Sequence, residues 1–205
     1  MKRLFALLAA FLFAASAAAA DIAPDVLVKD VTNEVLDIVR KDKDIQSGNT
    51  KKTLDLVEAK VLPHFNFQRM TQLALGREGR QATPDQFKVL VEEFRLLLVR
   101  TYSKALTEYR NQEILFKPLK MSAADTDVRV RTEIKQSGGK PVSLDYYLEK
   151  NATGWKVYDM EVGGISLVTN YRSSFAQEIQ KGGIDGLIRS LQVKNKSGDT
   201  SGKTK

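Results

Sequence analysis

A chain of 205 residues, 42% of them hydrophobic and with a net charge of +7, can build one globular domain with a sizeable core, whereas two independent domains would be cramped. The absence of cysteine excludes disulfides, thiol nucleophiles, cysteine metal ligands and an acylated lipoprotein cysteine, so stability rests on burial. A single histidine, His64, leaves a Ser-His-Asp relay or a histidine-based metal site with one candidate side chain.

The chain opens with Lys2 and Arg3, an apolar stretch from Leu4 to Phe13, and small residues around an Ala18-x-Ala20 pattern. This is the layout of a bacterial-type secretory signal peptide over residues 1–20, with an apolar run too short to span a membrane. Cleavage there predicts export to the periplasm and, by removing Lys2 and Arg3, takes the net charge from +7 to +5. For an exported protein, that charge suits anionic lipid headgroups or an acidic protein partner better than nucleic acid, or else a solvated surface with no dedicated partner.

Val28, Val31, Val35 and Ile38 recur at helical spacing and predict a first helix over about 24–41. Charges, Gly48 and Asn49 then break the pattern. Leu54, Val57 and Val61 mark a second helix that ends near Leu62, because Pro63 follows. A short third helix carries Phe67, Met70 and Leu73 or Ala74, with Gly76 at the position of a C-terminal cap. In "TPDQ", Thr83 caps a fourth helix, Pro84 takes its first position and Gln86 reaches back to complete a capping box. The apolar period then holds from Phe87 to Tyr109, and residues 84–109 would span about 39 Å.

Beyond Asn111 the period changes to two. A strand in "EILFKPL" precedes Val128, Val130, Thr132 and Ile134, which alternate with Arg129, Arg131 and Glu133. After the turn "QSGGK", Val142, Leu144, Tyr146 and Leu148 alternate with Ser143, Asp145, Tyr147 and Glu149, and "NATG" leads into a further strand, "WKVYDMEV". In "VGGISLVTNYRSSF" two glycines stop the alternation, and Ile165, Val168, Tyr171 and Phe175 fall on one face of a helix reaching about Lys181. Past a second glycine pair, Ile184, Leu187, Ile188 and Leu191 form the last helix. The order predicts one α+β domain over residues 21–193, an antiparallel sheet of about four strands packed against N-terminal and C-terminal helices. Residues 194–205, with four lysines and no apolar side chain, predict a disordered basic tail.

His64 stands in "PHFNF" between two helices, and there is no G-x-S-x-G, H-E-x-x-H or Gly-rich phosphate loop to support it, so it reads as a loop or capping residue. A small α+β cone can run acid–base chemistry on apolar substrates with an Asp base opposite a Tyr donor, and Asp145, Tyr146, Tyr147, Tyr158 and Asp159 supply the residue types. Alternation sends Asp145 and Tyr146 to opposite faces. It puts Asp159 on the side of Trp155 and Val157, where it would end the strand or pair with Arg172.

Taken together, "PHFNF", "LALGREGRQATPDQF", "LLVRTYSKALTEY", "WKVYDMEVGGISLVTNYRSSF" and "GGIDGLIRSL" resemble the MlaC family, the periplasmic phospholipid-binding proteins also called toluene-tolerance proteins. The resemblance runs in order from about Val26 to Leu191 and is most specific from Trp155 to Phe175. The chain departs from the family after Leu75-Gly76, where "REGR" stands in place of an aromatic residue, so that loop offers no greasy contact. The resemblance implies a non-enzymatic, monomeric carrier with no cofactor or metal, which holds acyl chains in a deep apolar cavity between sheet and helices. Such a carrier maintains outer-membrane lipid asymmetry by moving phospholipid between an outer-membrane lipoprotein–porin complex and the ring-forming protein of an inner-membrane ABC transporter, with transient membrane contact. The lining it implies combines Phe94, Leu97, Leu98, Tyr102 and Leu106 of the long helix with Val130, Leu144, Tyr146 and Leu148 of the sheet. Trp155 and Val157 of the last strand join them, and Ile165, Leu167 and Val168 lie at the mouth or wall, while Tyr171 and Phe175 fix their helix to the sheet. The residues by themselves also admit a pocket enzyme of the small-cone kind, or an interaction module with a filled core.

Overall fold

The computed structural model describes residues 22–109, 112–135 and 139–197; the proposed signal peptide and part of the "QSGGK" turn lie outside them. Helix α1 (Pro24–Lys41) has proline in its first turn and Arg40 and Lys41 in its last, where the helix dipole favours positive charge. The charged stretch after it contains a short helix, α2 (Lys43–Gln46), that its composition hides. Asp42 caps it by accepting from the Asp44 and Ile45 N–H groups, and Ile45 buries itself as the anchor. Helix α3 (Thr50–Lys60) leads through a 3-10 turn at Leu62–His64 into α4 (Phe67–Leu75), which Asn66 caps and Gly76 ends at φ 56°. A second 3-10 turn (Gly76–Gln81) precedes α5 (Pro84–Glu108). The capping box of α5 is formed in both directions: the Thr83 hydroxyl accepts from the Gln86 N–H at 3.2 Å, and the Gln86 carboxamide oxygen accepts from the Thr83 N–H at 2.9 Å.

The sheet is an antiparallel meander in the order β1 (Glu113–Phe116), β2 (Asp127–Lys135), β3 (Val142–Asn151), β4 (Gly154–Val162), β5 (Ile165–Ser166). The fifth strand exists because Gly163 and Gly164, at φ 58° and 86°, form a two-residue turn that only glycine enters cheaply. Ile165 therefore begins a strand, and the helix starts two residues later. Helix α6 (Leu167–Ser197) is broken at Gly182 and Gly183, which yields the two helical segments the sequence predicts. It continues through Ser197, past the predicted start of the tail at residue 194. Asn195 is buried there, and its amide donates to the Glu93 carbonyl at 2.9 Å and the Glu93 carboxylate at 2.7 Å.

Three apolar clusters stabilise these layers. Met70, Phe94, Leu98, Val168, Phe175 and Leu187 belong to the first, between α4, α5 and α6. Val28 of α1 joins Val128, Val130, Leu148, Trp155 and Val157 in the second, on the sheet. Val35, Val39, Ile45 and Leu56 make the third. A domain usually has one contiguous core with smaller satellites. Here the sheet and the helical layer keep separate cores, and Phe65 packs against both. The long helix α5 lies principally on α3 and α6; the helices that meet the sheet are α1, over β2, and α4 and α6, at β4.

Candidate functional site

The pairs Val128–Leu148, Val130–Tyr146, Thr132–Leu144 and Ile134–Val142 place one mostly apolar row on the helix-side face of the sheet, as the alternation predicts. Burial is graded along it. Val128, Leu148 and Val157 are buried, Tyr146, Leu144 and Met160 are half-buried, and Val162 is 38% exposed. The Tyr146 hydroxyl meets the side chain of Thr32 on α1, and burial, which disfavours the phenolate, pushes its pKa up to about 12.

The residues expected to line one cavity are divided among the clusters. Phe94, Leu98 and Val168 are buried in the helical cluster, with Leu97 packed on it. Val130, Leu148, Trp155 and Val157 are buried in the sheet cluster, with Tyr146 against it, while Leu106 packs on the third cluster. Leu144 is half-buried, and Leu167 is buried at the start of α6. Tyr102 is 37% exposed with its hydroxyl against Tyr171, and Ile165 is 63% exposed on the β4–β5 hairpin. Tyr171 and Phe175 fix α6 to α5, not to the sheet. Both rings meet Phe94 edge to face at a centroid distance of 5.1 Å. Sequence reasoning passed over Val28 and Thr32 on α1, and Phe65, whose position between two helices gives no periodic signal.

A β-bulge corrects the reading of Asp159. Tyr147 pairs with Asp159 and Leu148 with Val157, so Tyr158 is the extra residue and Asp159 lies on the face opposite Val157. There it accepts from the Ser166 hydroxyl at 2.5 Å and from the Val168 N–H at 3.1 Å, holding the first turn of α6. Arg172 instead donates its Nε–H to the Leu73 carbonyl at 3.1 Å, so two separate anchors replace the expected Asp159–Arg172 pair. The same bulge returns Met160 and Val162 to the apolar face, opposite Tyr146 and Leu144.

Polar side chains on the outer face of the sheet are engaged with one another. Arg129 donates to the buried Asp145 at 2.8 and 2.5 Å and to Glu161 at 3.0 Å, and the Tyr147 hydroxyl donates to Glu161 at 2.8 Å. Asp145 and Tyr146 thus face opposite ways and do not form an acid–base pair. Arg69 of α4 bonds Glu149, reaches Asp127 at 3.1 Å and lies 4.0 Å over the Tyr158 ring, fastening α4 to the sheet. His64 sits in its 3-10 turn with its pKa lowered by burial and by the charge of Lys156. Two surface grooves of about 390 and 460 Å³ flank Asn66 and Gln68, and none of the expected lining residues borders either. Among the described residues no group of His, Asp and Glu is placed to hold a metal, and no helix is long and apolar enough to cross a membrane.

Known proteins match this architecture. The MlaC protein family model matches residues 29–193. The intermembrane phospholipid transport system binding protein MlaC of Haemophilus influenzae is 28% identical over 184 residues, covering 85% of this chain and 83% of its own length. The toluene tolerance protein ttg2D of Pseudomonas putida is 30% identical over 187 residues, covering 90% and 84%. The solved structure of a phospholipid-binding protein from Ralstonia solanacearum, in complex with a phospholipid, superposes with a TM-score of 0.81 at 40% identity, covering 87% of this chain and all of that one. With the family match running unbroken through both the helical and the sheet cluster, this chain belongs to the MlaC family.

Proposed function

We propose that the protein is a periplasmic phospholipid carrier, exported by residues 1–20, that seats acyl chains between the apolar face of its sheet and its helical layer. The observation that carries this reading is the phospholipid complex of the 40% identical Ralstonia protein, whose fold this chain shares at a TM-score of 0.81. Moving an acyl chain from a bilayer into water costs about 0.8 kcal/mol per CH₂, so a carrier must replace the hydrocarbon environment almost completely. The separate sheet and helical cores suit that task. Two apolar surfaces that are not welded into one core can part along the seam between them, which Phe65 spans. Tyr146 stands on the sheet side of this seam, half-buried, with burial pushing the pKa of its hydroxyl up to about 12.

The carrier would exchange lipid with an outer-membrane lipoprotein–porin complex and with the ring-forming protein of an inner-membrane ABC transporter. Transfer from hydrocarbon to hydrocarbon is nearly balanced in energy, so relative affinities set its direction and no catalytic group is required. Native mass spectrometry of protein purified from periplasm without detergent, followed by organic extraction, tests the reading. Phospholipid at fixed stoichiometry is the expected result. Well-folded protein of bare mass would overturn it in favour of an interaction module with a filled core.

A further inference from the structure

The β4–β5 hairpin presents two aliphatic side chains to solvent, Ile165 at 63% and Val162 at 38% exposure, and they are register partners across the turn. The turn stands clear of the body, since a Cβ on either Gly163 or Gly164 would meet nothing within 4 Å. Behind the tip the apolar row continues without interruption. Val162 pairs with Leu144 and Met160 with Tyr146, and burial deepens to Leu148 and Val157.

The shape and charge of this tip select its partner. A stable protein–protein interface takes about 800 Å² from each side, far more than two aliphatic side chains on a convex turn can offer. Insertion into a lipid interface, in contrast, gains free energy side chain by side chain. Lys140 is exposed on the same rim, three residues before Ser143, whose carbonyl accepts from the Gly163 N–H at 2.9 Å, while Lys135 at the end of the adjoining strand is paired with Glu113 at 2.9 Å. Of the neighbouring acids, Asp159 is turned onto Ser166 and the α6 backbone, and Glu161 is bound to Arg129 and Tyr147. We propose that the β4–β5 tip inserts into the headgroup region of an anionic phospholipid bilayer and leads acyl chains onto the apolar row behind it, a role that rests on the carrier reading.

Flotation with vesicles of phosphatidylethanolamine and phosphatidylglycerol tests this proposal, comparing the parent with Val162→Thr/Ile165→Thr, which keeps the β-branched shape and removes the apolar contact. The double variant should bind the vesicles about tenfold more weakly, equivalent to ~1.4 kcal/mol, with unchanged melting. Lys140→Glu, which lies outside the turn, should weaken binding to these vesicles and leave binding to neutral phosphatidylcholine vesicles as it was. Equal flotation of parent and double variant, or no flotation of the parent, overturns the proposal even if the protein carries lipid. A parent that floats through the tip yet comes off bare overturns the carrier reading alone.

Discussion

Asp145 stays buried on the solvent-facing side of the sheet because Arg129 lies across it, with the Asp145 side chain only 6% exposed and that of Arg129 43% exposed. Removing the arginine strands a desolvated charge. Arg129→Ala is expected to cost about 2 kcal/mol in a urea titration, less than a wholly buried pair because the guanidinium is partly solvated. His64 couples to pH in a defined direction. Its pKa is lowered from 6.5 by burial and by Lys156, so the unfolded chain takes up a proton that the folded protein resists. The stability contributed by the neutral ring is present above about pH 6.5 and is lost as the pH falls below it. Between about pH 7 and pH 5, the melting temperature of His64→Asn should therefore fall less than that of the parent.

At the scale of elements, the bulge in β4 joins the sheet to the last helix. It turns Asp159 away from the apolar face and toward the Val168 N–H, while Ser166 accepts from the Thr169 N–H at 3.0 Å, so two side chains satisfy the first turn of α6. Asp159→Ala should destabilise the protein by about 1–2 kcal/mol, the range for loss of a helix cap. Hydrogen exchange would localise the effect to residues 166–170, and protection there equal to the parent's would contradict this role. The capping box of α5 was legible in four consecutive letters because all its partners are local. The bulge was not legible, since one extra residue leaves the alternation of "WKVYDMEV" looking regular until it is registered against β3.

At the scale of the whole molecule, Phe65 packs against both the helical and the sheet core, and the Asn66 N–H donates to the Val157 carbonyl at 2.8 Å beside it. Phe65→Ala should cost about 2 kcal/mol, below the value for a fully buried phenylalanine. It should also loosen the coupling between layers, so that hydrogen exchange of α4–α6 and of the sheet no longer respond together to denaturant. Joint exchange in the variant would show that the layers are coupled elsewhere.

The sequence by itself determined the order and type of nearly every element, from the helix over Pro24–Lys41 to the break at Gly182–Gly183, because periodicity, caps and glycine turns are properties of neighbouring residues. It also set the two faces of β2 and β3, with Tyr146 inward and Asp145 outward. Only the tertiary structure decided which layers share a core. It placed α1 rather than α5 on the sheet, gave Tyr171 and Phe175 to Phe94, turned Asp159 outward and left Ile165 in solvent. Such outcomes depend on the packing of side chains far apart in the chain and on a one-residue register shift, and neither leaves a trace in local spacing.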